Sequence, residues 1–169
     1  MARTNMVKRL LFGSTKGISG TVYGTIMVMA TVAAGSAGAD TDAWHLAVLV
    51  AVTVIVLWIA HLYSHALADS LHLGRPLERS ELQRLASREL AIPLAAVVPV
   101  VVLVLAAFGI VREQTAVWLA LGVGVGTLAV QGSRYAANER MGPKGRFVAV
   151  ALNVLLGLVI VGLEVLLAH

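Results

Sequence analysis

Apolar and polar positions alternate along this chain in long blocks: five oily runs at about 17–39, 44–71, 91–111, 115–137 and 146–167 are separated by short polar joints. Each run approaches or exceeds the ~20 helical residues that cross a hydrocarbon core of about 30 Å. The pattern predicts an all-α polytopic integral membrane protein with five transmembrane helices, one domain over residues 1–169. One joint has a different period. Residues 77–90, Leu-Glu-Arg-Ser-Glu-Leu-Gln-Arg-Leu-Ala-Ser-Arg-Glu-Leu, come after the Gly74-Arg75-Pro76 break and put Leu82, Leu85 and Ala86 on one face. This is a short amphipathic helix on the cytoplasmic side. Residues 1–16 form a basic amphipathic lead suited to anionic headgroups.

The second run ends in a polar stripe. His61, His65, Asp69 and His72 step by 4, 4 and 3 positions, and at about 100° per residue they fall within an arc of roughly 80° on a helix. Three of the five histidines lie here. Histidines at i and i+4 can bind one metal from a helix, and imidazole titrates near physiological pH, which suits proton coupling. Packing against a neighbouring side chain is the plainer reading of the same stripe. Tyr23, Glu78, Glu81, Arg134 and Asn138 are the candidates for groups supporting it, Glu78 and Glu81 as hard oxygen ligands one turn apart.

Composition agrees with the block pattern: 59% of residues are hydrophobic and 13% charged, against about 25% charged in soluble domains. Mean hydropathy is +0.87. The absence of cysteine excludes disulfides, thiolate metal sites and cysteine nucleophiles. The net charge of +4 does not point to nucleic acid, because twelve of the thirteen basic residues lie before the first run, on the joint after the second, or on and immediately beside the joint after the fourth. Arg112 alone stands on the other side, with Asp40, Asp42 and Glu113. The positive-inside rule gives a cytoplasmic N-terminus and an outside C-terminus, and the expected location is the cell membrane, as a multi-pass protein of the cell inner membrane. Ala37-Gly38-Ala39 also fits a signal-peptide cleavage site; the length of the run and the membrane character of residues 44–167 favour a retained span.

Small and polar residues refine the packing. Gly20-Thr21-Val22-Tyr23-Gly24 is a GxxxG element, and Gly122, Gly124 and Gly126 form a second small-residue surface. Such residues let helices approach closely in lipid. The expected partners are the lipid bilayer and a second copy of the chain, in a homodimer through Gly20, Gly24, Gly122 and Gly126, with no nucleic acid. Pro93 and Pro99 can loosen the third run. Glu164 is an acidic residue within a span, or one close enough to the end to reach water.

The layout resembles the vacuolar iron transporter family. Gly20-Thr21-Val22-Tyr23-Gly24 through Ala34-Gly35-Ser36-Ala37-Gly38-Ala39 is similar to that family's first span, roughly Gly-x-x-Asp-Gly then Ala-Gly-x-x-Gly-Ala. Ser64-His65-Ala66-Leu67-Ala68-Asp69 is similar to its Ser-Met-Ala-x-Gly-Glu element. The resemblance implies five spans, a cytoplasmic N-terminus, an acidic amphipathic insertion between spans two and three, and a homodimer. Tyr23 stands where the family has an aspartate, and His65 and Asp69 stand for its methionine and glutamate. Those exchanges shift ligand preference towards Zn-, Fe(II)- or Mn-like cations.

These readings lead to a small membrane transport protein, with a divalent metal ion or protons handled by His61, His65, Asp69 and His72. The alternative is a homo-oligomeric membrane scaffold whose polar cluster satisfies itself. The chain lacks a nucleophile elbow, a phosphate-binding glycine loop and HExxH, so no enzyme activity is expected.

Overall fold

A computed structural model describes residues 15–37 and 42–167. Most of the basic lead, Gly38, Ala39, Asp40 and His169 lie outside the described residues, as does the side chain of Glu164. Among the described residues the structure is all-helical: α1 (Thr15–Ser36), α2 (Ala43–Leu73), α3 (Arg79–Glu89), α4 (Ala91–Ala107), α5 (Glu113–Asn138) and α6 (Pro143–Leu167).

Four of these, α1, α2, α5 and α6, are long and apolar enough to cross a membrane. The third oily run behaves differently. Its helix, α4, has 17 residues, about 26 Å at 1.5 Å per residue, and it continues from α3 through a 43° bend at Leu90. Counted with α3 as one bent span, it brings the number to five. Hydropathy predicts a run to about residue 111, but the helix stops at Ala107. Gly109 adopts φ 74°, its N–H donates to the Ala106 carbonyl at 2.8 Å, and the Ile110 N–H donates to the Leu105 carbonyl at 3.0 Å. That pair of bonds is a Schellman termination, which apolar composition alone does not reveal.

The other ends have local causes too. Asp42 caps α2, its carboxylate accepting from the His45 N–H at 2.7 Å, and Gly74 closes the helix at φ 64°. α5 ends in the same Schellman pattern, with the Arg140 and Met141 N–H groups donating to Ala137 and Ala136. Here the left-handed residue is Arg140, at φ 52°, where glycine is the usual occupant. Pro143 opens α6 at a position that needs no amide donor. Pro93 falls in the first turn of α4 and likewise costs nothing; only Pro99, buried mid-helix, removes an intrahelical bond.

The helix at the centre is α1, which packs against every other helix. Met29, Val28 and Val32 are fully buried and meet Val50, Val54, Ile92, Leu103, Leu121 and Leu128 in one core. Small residues permit this. A Cβ on Gly24 would lie 2.7 Å from the Ile92 carbonyl oxygen and 3.2 Å from the Ala95 Cβ, and one on Gly20 would lie 3.3 Å from the Ala91 Cβ. The GxxxG element therefore joins α1 to α4 within the chain. Gly122 and Gly126 have open space where a side chain would stand, so of the four glycines expected at a protomer contact only that pair is free to make one. The outer surface is apolar: Val52, Ile55, Val56 and Ile59 on α2 and Leu155 and Val159 on α6 are at least half exposed. An apolar exterior around a small-residue core fits a multi-pass membrane protein.

Candidate functional site

The stripe on α2 cannot act as one ligand set. Residues 61 to 72 rise about 16 Å along a straight helix, whereas a single ion binds its ligands at roughly 2.0–2.3 Å. A second element has to complete any site. That element is α3, whose buried Leu85 anchors it to the bundle. Glu89 stands one turn beyond Leu85 and turns the same face towards α2.

There the side chains converge. His61 Nε2 lies 3.4 Å from Glu89 Oε2, and the rings of His61 and His65 meet edge to face at 4.6 Å. Tyr23 of α1 stacks on His61 at 5.6 Å with 24° between planes. One ligand atom each from His61, His65 and Glu89 lies within 4.8 Å of the others. His61 and Glu89 are partly buried, with side chains 33% and 17% exposed, while His65 is open to the surroundings. At 3.4 Å the His61–Glu89 contact is longer than a good hydrogen bond, so neither group is locked to the other.

Of the sequence-predicted residues, His61 and His65 enter this group with Tyr23 beside them. Asp69 and His72 do not. They line a separate open cleft of about 330 Å³, with Leu73 on α2, Leu77 in the linker, and Glu81, Arg84, Leu85 and Arg88 on α3. Glu81 is engaged at the other end of α3: Arg75 holds its carboxylate at 2.9 and 3.0 Å, and it also accepts the Glu78 N–H at 2.8 Å. The Arg75 guanidinium, then the Glu78 amide, holds the Glu81 carboxyl down to about 2. Glu78 lies eleven residues before Glu89, about 16 Å away along the helix. The acidic pair thus fixes the start of α3 rather than reaching the histidines. Arg134 donates to Gln131 Oε1 at 3.3 Å. It belongs with Asn138 to α5, which packs on α1, α4 and α6, whereas α2 packs on α1, α3 and α4.

Glu89 is the residue that sequence reasoning misses. By pattern it belongs to the charged face of the amphipathic segment, as a member of an internally paired stretch. Its distinguishing signal is position, as the last acid before the long oily run of α4.

Two imidazole nitrogens and one carboxylate oxygen are a donor set for borderline divalent cations, and a poor one for Mg²⁺ or Ca²⁺. Ligands at ~2.1 Å in a tetrahedron stand about 3.4 Å apart. His61 Nε2 and Glu89 Oε2 already stand 3.4 Å apart, so within a group spanning up to 4.8 Å it is chiefly the exposed His65 that must draw in, by at most about 1.4 Å. Compared with known proteins, the chain matches no family model, no curated protein and no solved structure.

Proposed function

We propose that this protein is a small multi-pass membrane transporter that takes a divalent transition cation at the cytoplasmic end of its bundle, through His61, His65 and Glu89. The observation that carries the reading is the meeting of these side chains, from two helices, within 4.8 Å. The bilayer places them. α2 has 31 residues, about 46 Å, against a hydrocarbon thickness of about 30 Å. With Trp44 at the outer interface, the lipid-crossing part ends near residue 63, so the triad sits at the boundary between hydrocarbon and headgroups. The distribution of Arg and Lys supports a cytoplasmic N-terminus and an outside C-terminus. A homodimer would use the free Gly122 and Gly126 face of α5. The likeness to vacuolar iron transporters adds one point: Tyr23, at the position of that family's first-span aspartate, stacks on His61.

The test is affinity for Zn²⁺ by competition with a chromophoric chelator, using the detergent-purified chain. His61→Ala with His65→Ala, and separately Glu89→Gln, should each weaken binding at least tenfold, while Asp69→Asn leaves it unchanged. Equal affinity in all four proteins ends the metal reading. Proteoliposome flux then separates transport from the scaffold alternative, which predicts no movement of any cation. One observation favours that alternative: His61 already has Tyr23, His65 and Glu89 around it.

A further inference from the structure

The cleft beside the triad has a composition that neither the metal nor helix packing accounts for. Its walls carry Asp69 and His72 from α2 and Arg84 and Arg88 from α3, over a floor of Leu73, Leu77 and Leu85. Asp69 and Arg88 face the same space without pairing, whereas Glu81, which lines the cleft with them, is held by Arg75. Arg84 is steadied by Ser80, which accepts from its guanidinium through both carbonyl and hydroxyl. Opposite charges lining a cleft without closing on one another suit a ligand that carries both signs. Apolar groups beneath them suit one that also carries a hydrocarbon tail.

We propose that this cleft binds a zwitterionic phospholipid with a primary ammonium, the phosphate taken by Arg84 and Arg88 and the ammonium by Asp69. Guanidinium forks match phosphate oxygens, and a primary ammonium supplies donors that a quaternary one lacks. The location agrees: the end of α2 from Asp69 and the whole of α3 up to Arg88 leave the hydrocarbon where headgroups lie, and Leu82 and Leu90 present further exposed apolar surface. The proposal shares the membrane placement of the transport reading and is independent of metal binding.

The full chain is purified in detergent, and its retained lipid is measured by native mass spectrometry after loading with phosphatidylethanolamine, phosphatidylcholine or phosphatidylglycerol. Phosphatidylethanolamine should be held preferentially. Arg88→Ala should reduce its retention about tenfold, as expected for one charge-assisted contact, with Arg88→Lys restoring part of it. Asp69→Asn should abolish the preference over phosphatidylglycerol. Both positions are exposed, and helix content by circular dichroism controls for folding. Equal retention of the three lipids, stronger retention of phosphatidylglycerol, or no effect of Arg88→Ala overturns the proposal. So does soluble phosphoethanolamine binding as tightly as the lipid, which would make the apolar floor irrelevant. Carbonate washing of membranes runs alongside: a chain released by it refutes the membrane placement itself, a result distinct from loss of lipid preference.

Discussion

Gly24→Ala is the most direct test of how the bundle supports the triad. The added methyl would stand 2.7 Å from the Ile92 carbonyl oxygen and 3.0 Å from the Ile92 Cα. Both are backbone atoms, so no side-chain rotation relieves the contact. A carbon meets a carbonyl oxygen without strain at about 3.3 Å, so α1 and α4 must part by roughly 0.6 Å. Overpacking of this kind costs about 1–3 kcal/mol, and the better helix propensity of alanine returns up to about 1 kcal/mol. The expected net loss is therefore about 1–2 kcal/mol, read as a lower midpoint in denaturing-detergent titration monitored by tryptophan fluorescence. The shift also moves Ala91, which packs on Gly20, two residues from Glu89, so Zn²⁺ affinity should fall with stability. Gly122→Ala is the matched comparison, because nothing lies within 4 Å of a Cβ there. If Gly24→Ala proves as stable as the parent, α1 and α4 are not in the close contact described.

Four further outcomes concern the helix ends, the α5 face and the orientation. Arg140→Gly relieves a left-handed residue at φ 52° and should raise the melting temperature by about 1–3 °C; a decrease would mean that the arginine head contributes more than its backbone costs. The Glu81 carboxyl, lowered from 4.5 to about 2, supports the start of α3 fully above pH 4.5, and that support is lost as pH falls towards 2. A carbon NMR titration should place its midpoint near the lower value and find it raised in Arg75→Ala; a midpoint near 4.5 in the parent rejects the pairing. Gly122→Leu with Gly126→Leu should convert a homodimer to monomer in light scattering without unfolding it, and an unchanged mass removes that face as the interface. Cysteines placed singly at Gly142 and Val165 should label from opposite sides of the membrane; labelling from one side refutes the orientation.

Much of the architecture is legible in the sequence because it rests on signals that lipid makes strong. Long oily runs and breaks at Gly74 and Gly142 act locally, and the helices start and stop within a few residues of them, whereas the cap supplied by Asp42 shows only in the structure. The end of α4 is not legible in the same way. Hydropathy continues through Phe108 and Ile110, while a single left-handed glycine turns the chain. The use of Gly20 and Gly24 is hidden for another reason: a GxxxG face has the same composition whether its partner is a helix of the same chain or of another. Which acid meets the histidines depends on the direction of α3. A helix of eleven residues offers acids at both ends, and only the course of α3 in space shows that Glu89, rather than Glu78 or Glu81, meets His61.

The bend at Leu90 also bears on the proposed placement of the triad. An ionised side chain held in hydrocarbon costs about 2.5–3.5 kcal/mol or more, and Glu89 is the last residue of α3, ahead of the apolar α4. Glu89 meets His61 there, with Tyr23 stacked on the ring and His65 exposed. On the proposed reading a divalent ion would bring two positive charges to the Glu89 carboxylate, so the group would differ by two charges between its empty and loaded states. Neither state is favoured deep in lipid, and a site with that property belongs at the boundary, where water can compensate both. In that placement the remaining two residues of the stripe, Asp69 and His72, would lie beyond the boundary. There an unpaired charge costs little, and they are available to a ligand of the headgroup layer.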